Sequence, residues 1–308
     1  MKYLKKYLLV LFGSLLILSG CSLPGLASNH DRNTIAITGG IITEKQIMAH
    51  VVAGMIEHYT DKNTTIVDNL GTTTITHKAM VRGDADISST RYTGTDMSTV
   101  LQIDPIMDSE EAIQVVKKEF KDRYNQVWFP PYGFDNVYVF AVRKDTAKKY
   151  HLKTISDLEE VQDELKVGAD RAWMTSPGDG YPGMQEAYGF SFDHILPMQT
   201  ALVYDAVAAH QMDVAVGYST DGRIQSNDLV MLEDDKQFFP PYDASMIVNQ
   251  KILDENPGLT DIFMKLEGKI DTETMQKLNF EADNNLLEPA AVAEKFLKEN
   301  NYFEEDGD

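Results

Sequence analysis

The sequence predicts an α/β chain of two lobes joined by two hinge crossings, and two observations carry this prediction. The word Phe-Pro-Pro-Tyr occurs twice, at residues 129–132 and 239–242. Paired prolines fix φ and favour extended geometry in the residue before them, so each copy is expected to form a stiff crossing. The second observation is a strand, a glycine turn and a helix in succession, which is typical of a parallel α/β layer. We therefore expect one lobe at 33–131 and 241–308 and the other at 132–240.

The N-terminal residues predict export and a lipid anchor. Lys2, Lys5 and Lys6 precede an apolar stretch at 8–18, which is too short for a comfortable membrane span. Small residues then lead to Cys21 and resemble the lipobox of bacterial lipoproteins; this is the only cysteine in the chain. We expect a signal peptide at 1–20, lipid on Cys21 at the extracellular side of the cell membrane, and a tether at 21–32. An ordinary signal peptide followed by an idle thiol is the alternative.

Length and charge limit the possible partners. A chain of 308 residues is long enough for two domains of ordinary size. Its net charge is −20, and removing residues 1–20 with their three lysines leaves 25 basic against 48 acidic residues, or −23. Such a chain repels nucleic acid and anionic lipid headgroups, so no nucleic-acid partner is predicted.

The first lobe is expected to begin with a strand at 34–38, the turn Gly39-Gly40 and a helix from 43 to about 58. Residues 43–46 are interpreted as a capping box that opens this helix. Strands are predicted at 64–67 and 86–92, and helices at 74–82, ended by Gly83, and at 110–124. The polar turn at 92–95 follows a strand, at the edge where open α/β sheets bind ligands. The helix at 43–58 has an apolar stripe of Ile47, Met48, Val51, Val52, Met55 and Ile56.

The second lobe is predicted as an insertion between the two crossings. Its strands are expected at 136–142, 167–169 and 213–216, and its helices at 156–164, 182–187 and 201–210. The strand at 213–216 leads into another polar turn at 217–222. After the second crossing, residues 244–248 should return as a strand to the first lobe, followed by helices at 259–266, 272–280 and 290–296.

The sequence offers no catalytic or metal-binding motif. No two of its seven histidines have the His-x-x-x-His spacing of a zinc site. A Gly-x-Ser-x-Gly elbow and a glycine-rich phosphate loop with lysine are also missing from the sequence. We therefore predict no enzyme activity, no cofactor and no metal site.

Tyrosine placement is the feature that points to a ligand. One tyrosine stands at each of four strand ends or crossings. Several tyrosines around one volume form an electron-rich box that suits a quaternary ammonium group, which has no N–H to donate. The alternative is that each ring is an ordinary residue at the edge of a core. The tyrosines are Tyr92, Tyr138, Tyr218 and Tyr242.

Five segments resemble the substrate-binding lipoproteins of osmoprotectant ABC importers of Gram-positive bacteria. These segments are residues 90–94, 133–136, 218–224, 238–242 and 270–279, and the resemblance extends from 34 to 303. Those proteins bind glycine betaine, carnitine and choline. The resemblance implies a type II periplasmic-binding-protein fold, closure around the ligand, a cage of the four tyrosines and delivery to a membrane permease. The protein is expected to be a monomer.

The expected ligand-binding residues differ from those of some relatives in the group that holds the ligand's carboxylate. Some relatives hold that carboxylate with a lysine in the loop after the first strand, but here the loop is Gly39-Gly40-Ile41-Ile42-Thr43. Thr95 and backbone N–H groups are then the candidates for this role. Gly40 and Asn136 complete the expected set.

Three other functions are weighed against this interpretation. A surface hydrolase would need a nucleophile and base, and the sequence shows no such pair. A binding protein for another small polar solute, such as an amino acid or a polyamine, is the main alternative; a polyamine would need inward carboxylates to accept its N–H groups. A structural adhesin would have no use for two hinges.

Overall fold

A computed structural model of the chain describes residues 33–176 and 178–303, which fold into two five-stranded sheets flanked by helices. Cys21 lies outside the described residues. In chain order the strands are β1 (Thr34–Gly40), β2 (Asn63–Asp68), β3 (Ile87–Tyr92), β4 (Gln126–Trp128), β5 (Tyr138–Arg143), β6 (Lys166–Ala169), β7 (His194–Pro197), β8 (Val214–Tyr218), β9 (Leu229–Met231) and β10 (Ala244–Asn249).

The helices are mostly short. They are α1 (Thr43–Tyr59), α2 (Thr73–Arg82), α3 (Thr93–Asp96), α4 (Ser109–Tyr124), α5 (Lys144–Tyr150), α6 (Arg171–Thr175), α7 (Tyr181–Tyr188), α8 (Thr200–Ala208), α9 (Gly222–Ser226), α10 (Gln250–Glu255), α11 (Leu259–Met264), α12 (Thr272–Asp283) and α13 (Pro289–Glu299). A π-helical turn at Met97–Leu101 extends α3, and a 3₁₀ helix covers Ser156–Val161. Over the described residues no helix is both long and apolar enough to cross a bilayer.

Each sheet combines parallel and antiparallel strands. The first has the order β2-β1-β3-β10-β4, and the second has the order β7-β6-β8-β5-β9. In the first sheet β1 is parallel to β2 and β3, whereas β10 runs antiparallel between β3 and β4. The strand after the second Phe-Pro-Pro-Tyr word therefore returns to the sheet of the first strands, as the sequence predicts.

The two crossings lie side by side and run in opposite directions. Tyr132 N–H donates to Ala244 O at 2.9 Å, Ala244 N–H to Phe134 O at 3.0 Å, and Asn136 N–H to Tyr242 O at 3.2 Å. Asp135 pairs with Asp243 in the same ladder, and burial together with the Asp243 charge raises the pKa of Asp135. The boundaries at 131/132 and 240/241 stay a prediction.

Helix α1 is packed on both sides. It contacts the first sheet as well as α12 and α13, so its apolar stripe must be wide. All members of the predicted stripe are fully buried: Ile47, Met48, Val51, Val52, Met55 and Ile56.

The predicted capping box of α1 is wrong. The N-cap is Ile42, which makes no side-chain capping bond. Thr43 is already the first helical residue, and its hydroxyl donates to Asp283 of α12 at 2.5 Å. Glu44, the second helical residue, turns inward and is 3% exposed.

Helix α12 connects the two sheets through its contacts with the end of β8. Gln276 Nε2 donates to Ser219 O at 2.6 Å, and Asn279 Nδ2 donates to Thr220 O at 2.9 Å. Gly222 opens α9 directly against this helix, where a Cβ would lie 2.5 Å from Gln276 O and from Phe280 Cβ. The absence of a side chain at Gly222 therefore permits this close packing.

Candidate ligand-binding site

A cavity of about 640 Å³ lies where the ends of both sheets face each other. The ends of β1, β3 and β8 and the beginning of β5 supply much of its lining, in agreement with the general position of ligand sites in open α/β sheets. The lining residues are Ile41, Ile42, Thr43, Glu44, Tyr92, Thr95, Asn136, Tyr138, Asp179, Tyr218, Thr220, Asp221, Tyr242, Asn279 and Asp283.

Tyr138 and Tyr218 form one wall of the cavity. They are direct partners in the antiparallel pair of β5 and β8, so both side chains project from the same face of the sheet. Their ring centroids are 4.8 Å apart with an interplanar angle of 29°, and their hydroxyl oxygens are 3.1 Å apart. Tyr218 is 37% exposed, which leaves part of its ring accessible to a ligand.

Tyr92 and Tyr242 differ from this pair because their hydroxyls donate to carboxylates. Tyr92 donates to Glu44 Oε1 at 2.5 Å, and Tyr242 donates to Asp179 Oδ2 at 2.7 Å. Burial raises the pKa of both phenols, and the neighbouring carboxylate raises each further. The rings are therefore neutral donors and not phenolates.

Glu44 connects several parts of the site. Besides Tyr92, its carboxylate accepts from Asn136 Nδ2 at 3.1 Å and from Asn279 Nδ2 at 3.4 Å. The donors come from β3, from the first crossing and from α12. A buried carboxylate requires such donors, so Glu44 fixes the relative positions of these three segments.

Lys45 lies beside this group, outside the cavity lining. Its ammonium nitrogen is 5.0 Å from the centroid of the Tyr92 ring. Burial lowers the pKa of Lys45, and the positive charge of Arg91 lowers it further. Arg91 is itself paired with Asp96 in a buried ion pair, which holds α3, and with it Thr95, against the end of β3.

The lining contains four acidic residues and no Lys, Arg or His among the residues that the structure describes. Each carboxylate already accepts from a donor of the protein. Asp221 is ion-paired with Arg223 at 2.5 Å and caps α9, and Asp283 accepts from Thr43. No group of three or more His, Cys, Asp or Glu side chains in the described part of the chain could hold a metal ion.

The structure brings six of the predicted site residues to the cavity: Tyr92, Thr95, Asn136, Tyr138, Tyr218 and Tyr242. Gly40 is not among the lining residues described. It is buried at the end of β1 with φ +76°, where Lys45 would contact an added Cβ. Its role in ligand binding, like that of the other six, stays a prediction.

Sequence reasoning missed the polar residues behind the tyrosines. Glu44 was interpreted as part of a capping box, and Asp179 was assigned no role. A signal existed for Glu44, because it follows a glycine turn at the N-terminus of a helix, a common ligand-binding position. Asn279 gave no local signal, since its contacts are with residues far away in sequence.

Comparison with known proteins identifies the family. Residues 33–299 match the family described as the substrate binding domain of ABC-type glycine betaine transport system. The chain belongs to this family. This confirms the predicted family and the predicted function as the solute-binding component of an ABC transporter.

Individual members of this family are similar over nearly the whole chain. The carnitine transport binding protein OpuCC of Listeria monocytogenes is 50% identical over 303 residues, which cover 98% of each chain. The glycine-betaine-binding protein of Pseudomonas aeruginosa is 30% identical over 297 residues, 93% of each. A crystal structure titled glycine betaine/carnitine/choline ABC transporter superposes with a TM-score of 0.85 at 48% identity, covering 88% of this chain and 100% of that one. The two-lobed binding-protein fold is thereby confirmed.

Proposed function

We propose that the cavity binds a quaternary ammonium osmoprotectant such as glycine betaine, carnitine or choline, with its trimethylammonium group between Tyr92, Tyr138, Tyr218 and Tyr242. One observation carries the proposal: the four tyrosines line one cavity that contains no basic residue among those described. Tyrosine faces attract a cation that cannot donate a hydrogen bond, and the methyl groups gain from burial. Thr95 and Asn136 line the same cavity, and we propose that they contact the rest of the ligand.

The alternative ligands fit this lining less well. A polyamine needs carboxylates that are available to accept N–H groups, and of the four lining carboxylates Glu44 already accepts from three protein donors and Asp221 is ion-paired with Arg223. An amino acid needs acceptors for the N–H groups of its ammonium, which the faces of the tyrosine rings do not supply. The arrangement favours a cation without N–H groups.

The decisive experiment is calorimetric titration of the purified protein with choline, carnitine, glycine betaine and the neutral carbon isostere of choline. The isostere keeps the shape and loses the charge, so it should bind far more weakly than choline. Tyr138→Ala and Tyr218→Ala should each lower affinity by about tenfold or more, and Tyr138→Phe by much less, because the π face survives. Equal binding of choline and its isostere would exclude the cage.

The location of the protein is a further part of the proposal. We propose that lipid on Cys21 tethers a monomer to the extracellular side of the membrane, where it delivers its solute to the permease. The lysines and apolar stretch before Ser19-Gly20-Cys21 support this. Cys21→Ala should release the protein into the medium with unchanged affinity for solute. Retention of this variant in the membrane fraction would contradict the anchor.

A further inference from the structure

The four tyrosine hydroxyls of the cavity fall into two classes. Tyr138 and Tyr218 hydrogen-bond to each other, and within the described part of the chain neither hydroxyl is hydrogen-bonded to a carboxylate. Tyr92 and Tyr242 each donate to a carboxylate that also lines the cavity, Glu44 in one case and Asp179 in the other. The two carboxylates lie on opposite sides of the site, because Glu44 belongs to α1 of the first lobe whereas Asp179 precedes α7 of the second.

A carboxylate that accepts from a phenol affects a bound cation in two ways. The charge-assisted hydrogen bond draws the proton toward the carboxylate and increases electron density on the phenol, and cation–π attraction depends on that density. The carboxylate also acts through space, and its charge is weakly screened because Glu44 is 3% exposed and Asp179 is half-buried. Both effects favour a cation and oppose an anion.

On the basis of the function proposed above, we propose that Glu44 and Asp179 are specificity-determining residues that make the cage select for net positive charge in its ligand. Choline carries one positive charge and gains from both carboxylates. Glycine betaine carries its own carboxylate one carbon away from the ammonium group, so attraction of its cation is offset by repulsion of its anion. In carnitine three carbons separate the two charges, and its carboxylate extends further from the cage.

The other charged residues near the cavity are arranged differently. Lys45, whose ammonium nitrogen is 5.0 Å from the centroid of the Tyr92 ring, offsets part of the Glu44 charge. Asp221 is neutralised by Arg223. Asp283 is exposed and accepts from Thr43, not from a tyrosine. Asp283 is therefore a suitable control. It carries the same charge and lines the same cavity, but it accepts no hydrogen bond from a tyrosine of the cage.

The test compares choline with glycine betaine in Glu44→Gln and Asp179→Asn, each measured by calorimetric titration of the full chain. Both substitutions remove a charge and keep an oxygen that can accept from the tyrosine. We expect each to weaken choline binding by about tenfold and glycine betaine binding by less than about threefold. The shift in the ratio of the two affinities should be smaller in Asp283→Asn.

Equal losses for choline and glycine betaine in both variants would overturn the inference, because the carboxylates would then only support the structure. A ratio shift as large in Asp283→Asn would also overturn it, since any lining charge would have the same effect. If Glu44→Gln does not fold, Asp179→Asn decides alone, because its side chain is half-buried and bonds to Tyr242. Binding by the unchanged protein is measured first; its absence would count against the proposed function, whereas unaltered selectivity counts against this inference only.

Discussion

His77 in α2 shows how burial governs ionisation at the scale of one residue. Its ring packs against Tyr124 and Phe120, with centroids at 4.3 and 5.8 Å, and it is 9% exposed. Desolvation, with a contribution from the positive charge of Arg91, lowers the pKa of His77 to about 4. Between about pH 4 and pH 6.5 the imidazole of His77 is therefore neutral in the folded protein, whereas in the unfolded chain it binds a proton.

The stability of the protein should consequently fall as the pH is lowered from about 6.5 to 4. In this window the unfolded state binds more protons than the folded state, so the free energy of unfolding decreases by up to about 3 kcal/mol through His77 alone. Urea unfolding of the native protein and of His77→Leu at several pH values checks this. The variant should lose less stability on acidification, whereas the exposed His194→Gln should follow the native protein; identical pH profiles for the native protein and His77→Leu would contradict the prediction.

The position of the four tyrosines could be predicted from sequence, but their partners could not. A strand followed by a polar turn is recognisable locally, and Tyr92 and Tyr218 stand at such points. The bonds from Tyr92 to Glu44 and from Tyr242 to Asp179 join residues 48 and 63 positions apart, and only the tertiary fold brings these together. Thr43 illustrates the same limit, because its bond to Asp283 replaces the predicted cap.

At the scale of secondary structure, the length of a helix or strand decides whether it can be predicted from the sequence. The long helices α1 and α4 have an amphipathic period and are predicted nearly to the residue. The strands β4, β7 and β9 have three or four residues and were not predicted. Such strands have no visible alternation and exist because a longer neighbour pairs with them, as β10 pairs with Trp128 of β4. The short helices α5, α6, α9 and α10 were missed for the same reason.

The close contact between helices α9 and α12 leads to a prediction about stability. Gly222→Ala should separate these helices, because the added Cβ meets backbone and Cβ atoms of α12 and not a flexible side-chain end. We expect a loss of about 1–3 kcal/mol in stability, measured by urea unfolding, together with weaker solute binding.

A matched glycine serves as the control for this substitution. Gly258 has φ −69° and no atom within 4 Å of an added Cβ. Gly258→Ala should therefore change stability by less than about 0.5 kcal/mol, since the lower entropy of the unfolded chain offsets a weaker N-cap of α11. If Gly222→Ala were as stable as Gly258→Ala, this result would contradict the close packing of α9 on α12.

At the scale of the whole molecule, polar bonds in the described part of the chain join the two lobes beside the close packing of α9 on α12. The crossings form one antiparallel ladder. Across the cavity, Tyr242 donates to Asp179, and Asn279 and Gln276 donate to the carbonyls of Thr220 and Ser219. Single hydrogen bonds of this kind contribute about 1 kcal/mol each. A ligand that contacts both lobes could therefore shift the balance between open and closed arrangements.

We expect saturating ligand to contract the molecule, because Tyr92 stands in one lobe and Tyr138 and Tyr218 stand in the other. A ligand held between these rings interacts most strongly with the closed arrangement and so stabilises it. Small-angle scattering of the protein with and without choline should show a smaller radius of gyration with choline. Tyr138→Ala, measured at the same choline concentration, should show a reduced contraction because it binds less ligand. A radius of gyration that does not change, in a sample where calorimetry confirms saturation, would mean that the lobes bind the solute without closing.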